Sequence, residues 1–408
     1  MVEPAADGGA TGDGVTGGAT GRKWFYGLLP LVLLALLIVL FVRLDPTALF
    51  REAFPPLEEL TIERVTFPEH GQMRVQLING GPEAVTVAQV QVDAAFWRFE
   101  MEPAATVPRL GRATLSLAYP WVEGEPHHIA VVTSTGLTFA HTVQVATLTP
   151  APSGRYLGTF ALLGLYAGVI PVLLGLLWYP FMRRLGTRWV HFFLSLTIGL
   201  LAFLVIDAVE EAFEAASGMP ESFHDAELIA MGIVGAILGL RLVSSVGKRL
   251  RDSGDATGAA LAVAYMVAIG IGLHNMGEGL AIGAAYSVGA IALGSFLVIG
   301  FAIHNTTEGL AIVAPLGQTR PPLWHLGVMG AIAGLPTILG AWLGGFSYSP
   351  IVATLFISIG AGAIIQVMIE IGRMIDRSET GGLLAPLNAT GLALGMVLMY
   401  ATALLVVA

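Results

Sequence analysis

Uninterrupted apolar segments dominate this chain, and they leave a lipid bilayer as the solvent in which most of it can fold. Beyond residue 155 the sequence consists of eight such segments, each about long enough to cross the hydrocarbon core. They cover residues 156–180, 189–213, 227–246, 258–286, 290–315, 324–346, 351–375 and 387–407. Charged residues make up only 12% of the chain, about half the share found in soluble domains. The sequence therefore predicts a mainly α, polytopic membrane protein, and it excludes secreted, fibrous and disordered classes.

The N-terminal part has a different composition. Residues 1–23 are mostly Gly, Ala and Thr, so we expect a disordered cytoplasmic tail. Residues 24–44 are apolar and predict a membrane anchor. A cleavable signal peptide would have a shorter apolar region ending in small residues, whereas this segment ends at Val42 and Arg43.

Between residues 57 and 150 the pattern changes to an alternation of period two, as in 85–92. The alternation predicts a small all-β domain of six or seven strands, arranged as a sandwich. If residues 134–136 close a hairpin, His128 and His141 are expected on one face as diagonal neighbours, where they would form half of a metal site. The alternative is that they are solvated surface histidines.

Basic residues predict the orientation, because short loops rich in Lys and Arg stay in the cytoplasm. With the N-terminus inside, the loops on that side contain Arg183, Arg184 and Arg320, whereas no short loop on the other side has a Lys or Arg. We therefore expect the plasma membrane of a prokaryote, a cytoplasmic N-terminus, and an extracytoplasmic β domain and C-terminus. The net charge of −9 argues against nucleic acid as a partner.

One short extracytoplasmic loop and its flanks are acidic. They contain Glu211, Glu214, Glu221, Asp225 and Glu227. Such a vestibule would concentrate cations, although an ordinary solvated loop has the same composition.

The motif His-Asn-x-x-Glu-Gly occurs twice, in two neighbouring apolar segments. The two copies supply His274, Asn275, Glu278, His304, Asn305 and Glu308. Within each copy the His and Glu are four residues apart, so they lie on one face of a helix. In an antiparallel hairpin centred on residue 291, position 274 lies level with 308, and 278 with 304.

Two unpaired carboxylates inside a membrane would cost at least about 2.5 kcal/mol each, and a bound cation removes that cost. The chain has no cysteine, so any metal ligands are nitrogen or oxygen atoms, apart from methionine sulfur. Two imidazoles and two carboxylates suit Zn²⁺, Fe²⁺ or Mn²⁺ better than Ca²⁺ or Mg²⁺. The alternative is a set of polar residues that only join the helices by hydrogen bonds.

These motifs resemble those of the ZIP (Zrt- and Irt-like protein) family of divalent metal transporters, particularly its bacterial branch. The resemblance covers residues 155–408 and depends on the paired motifs, on their place in the fourth and fifth of eight helices, and on the small residues 360–363 before Glu370. It implies an eight-helix ZIP-like transporter core with a transport site at the six motif residues. The N-terminal anchor and the β domain have no counterpart in the resemblance.

The chain departs from the family pattern in several ways. Gly277 and Thr307 stand where a Pro is frequent, and Asn305 stands where a carboxylate is frequent. Near Pro336 and Thr337 the sixth helix has no carboxylate to complete a second metal site. We therefore expect one principal metal rather than two bridged ions. Its expected ligands are His274, Glu278, His304 and Glu308, with Asn275 and Asn305 assisting.

Four further residues are candidates for the ion pathway. Asp207 and Glu210 lie near the extracytoplasmic end of the second core helix, where they would pass ions inward. Gln366 and Glu370 are four residues apart in the seventh, where Glu370 lines an exit or pairs with Arg373. Plain solvation at the membrane interface is the alternative for each.

The function that these features predict is transport of a divalent transition metal toward the cytoplasm, with no enzymatic activity and no cofactor beyond the transported ion. An intramembrane zinc-dependent hydrolase and a membrane metal sensor are the alternatives. The expected partners are divalent metal ions and the lipid bilayer. The β domain has three open roles, namely dimerisation, shielding of the pathway and recruitment of metal, so a homodimer is one of the arrangements that the sequence allows.

Overall fold

The structure is a computed structural model that describes residues 17–44, 57–251, 256–317, 319–376 and 381–407. The chain divides into two compact units, Met1–Leu57 and Glu58–Ala408. In the first unit, helix α1 spans Gly17–Leu44. It begins seven residues before the predicted anchor, within the segment expected to be disordered, because an established helix extends at little cost through adjoining residues. Residues 1–16 of the predicted tail lie outside the described part.

The second unit begins with a β domain of nine strands, more than the predicted six or seven. They are β1 (Leu60–Thr66), β2 (Met73–Asn79), β3 (Val85–Val92), β4 (Ala95–Trp97), β5 (Phe99–Glu102), β6 (Thr106–Val107), β7 (Arg112–Leu117), β8 (His127–Thr133) and β9 (Thr138–Val143). Strands β4 to β6 have two to four residues, too few to show an alternating pattern.

The strands form two antiparallel sheets, with the orders β1-β2-β7-β5 and β4-β3-β8-β9. Apolar residues from both sheets, such as Leu77 and Ile129, pack into one buried core. This is the two-layered arrangement that the period-two pattern predicts.

The predicted pairing of His128 with His141 is wrong. In the hairpin of β8 and β9, His128 lies opposite Thr142, and His141 lies opposite Ile129. Neighbouring residues of a strand point to opposite faces, so a register one residue away from the expected one separates the two imidazoles. His128 Nδ1 is instead 3.0 Å from Thr142 Oγ1.

A polar network that joins the exposed Asp93 to the buried His127 and Tyr119 surrounds the turn between β3 and β4. Asp93 and Ala94 both have positive φ angles, as a two-residue hairpin turn of this kind requires. The Asp93 carboxylate accepts hydrogen bonds from Tyr119 Oη at 2.6 Å and from the His128 amide at 2.9 Å, and it lies 2.8 Å from His127 Nδ1. Burial acts to raise the pKa of Asp93, but these contacts outweigh it and lower the pKa to about 2.

Among the described residues of the second unit, eight helical segments are long and apolar enough to cross a membrane, in agreement with the eight predicted segments. The first comprises α2 (Gly154–Gly164), a π-helical turn (Leu165–Val169), α3 (Ile170–Leu176) and α4 (Tyr179–Met182). The others are α5 (Thr187–Ala216), α6 (Asp225–Arg251), α7 (Ala256–Ser287), α8 (Ile291–Val313), α9 (Trp324–Ser347), α10 (Pro350–Asp376) and α11 (Pro386–Val407).

The first span is divided because Pro171 and Pro180 lie at the starts of α3 and α4 and have no amide hydrogen to donate within a helix. The eight spans pack as two groups. Helix α9 packs most extensively on α7, and the first span packs on α8 and α9. In the second group, α5 packs on α10 and α11, and α6 packs on α10. The groups are joined closely, because α7 packs on α10 more extensively than α6 does, and α8 also packs on α11.

We expect Asp93→Asn to destabilise the β domain at neutral pH. The pKa of Asp93 is lower in the folded domain than in the unfolded chain, so its contribution to stability is present above about pH 4 and is lost as pH falls toward 2. The side chain is 42% exposed, which limits the effect to roughly 1 kcal/mol, or a few degrees in melting temperature. Thermal unfolding of both proteins at pH 7 and pH 3 measures it, and an equal difference at the two pH values would contradict the prediction.

Candidate metal centre

The repeated motif lies on a helical hairpin. Helix α7 ends at Ser287 and α8 begins at Ile291, close to the predicted turn. Between them Gly289 has a φ of +77°, which L side chains rarely adopt. The hairpin places the two copies of the motif side by side near the middle of each helix.

Three motif residues form a compact group. One ligand atom each from His274, Glu278 and His304 lies within 4.8 Å of the others, and all three side chains are buried. Glu278 Oε1 is 3.3 Å from His274 Nε2, and it also contacts His304 Nε2 across the hairpin. The predicted contact between positions 278 and 304 is therefore present. Two imidazoles and a carboxylate in one apolar environment match the ligands that divalent transition metals prefer.

Glu308, which the sequence places level with His274, is not part of this group of three. The carboxylate of Glu308 is nevertheless buried, with 3% of the residue exposed. Neither of its oxygens accepts a hydrogen bond of good geometry from the described residues. A buried carboxylate of this kind is costly unless it is protonated or meets a cation.

The two motif asparagines use their amide groups to hold neighbouring helices. Asn275 Nδ2 donates to the Ala333 carbonyl of α9 at 3.1 Å. Asn305 Nδ2 donates to Glu278 Oε2 at 2.8 Å and to the Ala167 carbonyl at 2.9 Å. Pro171, four residues later, has no amide hydrogen to donate to that carbonyl in the α-helical pattern. Both Oδ1 atoms are buried and accept no hydrogen bond from the described residues.

Thr337 on α9 is a site residue that the sequence analysis missed. It is fully buried, and its Oγ1 has no hydrogen-bond partner among the described residues. A Cβ atom at Gly279, the residue after Glu278, would lie 2.0 Å from the Thr337 carbonyl oxygen, so Thr337 is next to the cluster. The position of Thr337 beside Pro336 in the sixth span could have indicated it, but at that position only a carboxylate was considered as a ligand.

Glycines bring the helices together around the cluster. At Gly279 the α9 backbone occupies the space of a side chain, and at Gly360 a Cβ would lie 2.9 Å from the His274 Cα. Helix α7 runs without a break from Ala256 to Ser287, so the glycines beside the motif allow close packing rather than local unwinding.

A cavity of about 1050 Å³ connects the cluster with the β-domain ends of the helices. His304 lines it at one end, and Tyr348, in the connection between α9 and α10, lines it near the other. One face of α5 contributes four carboxylates, which follow one another at helical spacing. They are Asp207, Glu210, Glu211 and Glu214. The candidate pathway residues Asp207 and Glu210 thus share a cavity with the cluster.

The other predicted pathway residues lie on α10, away from this cavity. Gln366 Nε2 is 3.3 Å from Glu370 Oε1, and Arg373 Nη1 is 3.2 Å from the same oxygen. Glu370 therefore forms the ion pair with Arg373 that was one of its two predicted roles. Of the predicted acidic vestibule, Glu221, Asp225 and Glu227 are not among the residues that line the cavity.

We expect Gly279→Ala to weaken metal binding at least about tenfold, because the added methyl group meets a backbone oxygen and forces α7 away from α9 beside Glu278. Gly239→Ala is the matched control, since a Cβ at that helical position has open space around it. Calorimetric titration of the purified protein with Zn²⁺ measures both. Equal affinities in the two variants would contradict the prediction.

We also expect Asp207→Asn combined with Glu211→Gln to raise the metal concentration needed for half-maximal occupancy of the site about three- to tenfold and to leave the stoichiometry unchanged. These carboxylates line the cavity but are not in the cluster, so they act on the local cation concentration. The effect should shrink as ionic strength rises. Asp225→Asn combined with Glu227→Gln removes the same charge from outside the cavity, and an equal effect of this pair would contradict the prediction.

Comparison of the sequence with known proteins finds no protein-family model and no curated protein that matches it. The observations that bear on the chemistry of the site are its donor atoms, their burial and the cavity that leads to them. These features describe a buried group of His and Glu side chains, inside an apolar helical bundle, that could hold a metal ion.

Proposed function

We propose that this chain is a ZIP-like transporter that carries a divalent transition metal across the membrane toward the cytoplasm. Zn²⁺ is the first candidate, and Fe²⁺ and Mn²⁺ are the next. The observation that carries the proposal is the group of His274, Glu278 and His304, which is buried in the middle of eight apolar helices and lines an acidic cavity through His304. Metal-binding residues at that depth suit an ion that passes through the protein.

The distribution of charge supports the direction. The acidic cavity reaches the β-domain ends of the helices, and the basic residues of the short loops lie at the opposite ends. If the basic ends face the cytoplasm, the β domain is extracytoplasmic and the cavity admits cations from outside. The negative potential of four carboxylates would raise the local concentration of the ion before it loses its water.

The ligands account for selectivity and for release. Neutral imidazole nitrogens favour transition metals over Ca²⁺ and Mg²⁺, and Glu278 supplies negative charge. The ion would leave toward the cytoplasm when the two helix groups move and open the cluster to the other side. Small residues such as Gly360, at the contact between α7 and α10, suit such a sliding surface.

The resemblance to the ZIP family supports the same function. Both copies of the motif lie where that family has its transport site, on the fourth and fifth of eight spans. The absence of Glu308 from the three-residue group, and of a carboxylate at Thr337, favours one principal metal.

A metal-dependent hydrolase is the second candidate function. Two His and one Glu are also the ligands of some catalytic zinc sites, and the buried carboxylate of Glu308 is a candidate general base. This function requires bound zinc that stays in place and a substrate that enters the cavity.

The test is metal entry into liposomes that contain the purified protein and a metal-sensing dye. We expect saturable entry for the native chain and at least about a hundredfold loss for Glu278→Gln or for His274→Ala combined with Glu308→Ala, because the ligands are removed. His128→Ala, which removes an exposed imidazole of the β domain, should leave entry unchanged. Metal that is bound by the native chain but does not enter would contradict transport and favour the hydrolase or a sensor.

A further inference from the structure

Strand β1 attaches the β domain to the end of helix α9. The Arg64 guanidinium donates to the Phe346 carbonyl at 3.1 Å and to the Gly345 carbonyl at 3.4 Å. These carbonyls belong to the last turn of α9, where helix geometry leaves acceptors without partners and concentrates negative potential. Arg64 is only 9% exposed, so its charge is committed to this contact rather than to solvent.

The residue before β1 attaches the domain to a second place. Glu59 Oε1 accepts a hydrogen bond from the Glu221 amide at 2.7 Å, in the connection between α5 and α6. The Gly80 amide donates to the Glu59 carbonyl, and a Cβ at Gly80 would lie 2.3 Å from Pro220 Cβ. The backbone of the β domain therefore rests directly on this connection.

The two attachments belong to different helix groups. Helix α9 packs with α7, whereas α5 and α6 pack with α10. Along β1 the residues Glu59 and Arg64 are about 16 Å apart, so one short segment of chain spans the gap between the groups. Tyr348, two residues beyond the carbonyl of Phe346, lines the acidic cavity near its open end.

We propose that β1 is a strap that holds the ends of the two helix groups at a fixed separation and thereby restrains the opening of the acidic cavity. The first attachment depends on the Arg64 guanidinium, and the second combines the Glu59 carboxylate with the packing of Gly80 against Pro220, so substitution of either charged side chain weakens the attachment it belongs to. The strap concerns the opening of the cavity and not the ion, so it does not depend on metal transport and can be tested without metal.

The chain has no cysteine, which allows one thiol to report on the cavity. Ala281→Cys places that thiol on the cavity wall, where a membrane-impermeant maleimide reaches it from the β-domain side. In the full chain in nanodiscs, we expect Arg64→Gln and Glu59→Ala each to increase the labelling rate about three- to tenfold, because each removes a charge-assisted hydrogen bond. Hydrogen exchange of residues 217–224 and 345–349 should also become faster.

Two matched controls separate the strap from general damage to the β domain. Arg112→Gln removes an arginine bonded to Glu63, and Glu58→Ala removes a carboxylate bonded to Thr135, both within the β domain. We expect labelling in these variants to match that of the reporter alone. Equal rates in Arg64→Gln and Arg112→Gln, with unchanged exchange at 345–349, would overturn the proposal.

A disulfide between the β domain and the connection of α5 and α6 tests whether a tighter attachment has the opposite effect. Gly80→Cys combined with Pro220→Cys, without the reporter, can form a bond after roughly 1.5 Å of local relaxation. The new Cβ at residue 80 would lie 2.7 Å from Glu59 Oε1 and displace it, so the disulfide takes the place of the Glu59 hydrogen bond. We expect the oxidised form to slow hydrogen exchange at 217–224 and 345–349, and reduction to reverse the change. Exchange at 345–349 that does not respond to oxidation would show that the two ends are not coupled, and it would overturn the strap.

Discussion

The structure depends on a carboxylate that two imidazoles share inside an apolar bundle. Glu278 is almost completely buried, where a lone charge would cost several kcal/mol. His274, His304 and Asn305 surround it and offset that cost, but they come from two helices, so the contact requires α7 and α8 to be antiparallel with a defined offset. The short connection around Gly289 meets this requirement. The electrostatics of one carboxylate and the geometry of one turn therefore determine the hairpin together.

The neighbouring helices follow from the same cluster. Asn275 and Asn305 bind carbonyls of α9 and of the π-helical turn, so each motif helix is hydrogen-bonded to a helix of its own group. Helix α10, from the other group, approaches His274 only because residue 360 is a glycine. The first kind of contact is polar and directional, whereas the second is a smooth van der Waals surface. Polar contacts therefore fix the cluster within its own group, whereas its contact with α10 depends on close packing at a glycine.

Sequence reasoning predicted the eight spans and the contact between Glu278 and His304, because segment length and helical spacing are local properties that a bilayer and a short turn convert directly into structure. It failed where one residue of register or a distant contact decides the outcome. His128 and His141 separate because a shift of one residue reverses a strand's faces. Arg64 reaches a carbonyl 282 residues away, and Thr337 meets the cluster through close backbone packing, and neither contact leaves a periodic signal.

The carboxylates of the cavity and that of the cluster differ in their access to water. Those on α5 line a cavity large enough for water, so their attraction for a cation is screened and weak. Glu278 is almost completely buried between imidazoles, so its attraction for a bound cation would be little screened. If the chain transports ions as proposed, binding would therefore tighten as an ion moves inward. The β domain contacts the cavity end of the bundle at the end of α9, at the connection between α5 and α6 and, through Thr147, at Gly289 between α7 and α8. A restraint at that end can change the rate at which ions reach the cluster and leave the affinity of the cluster unchanged.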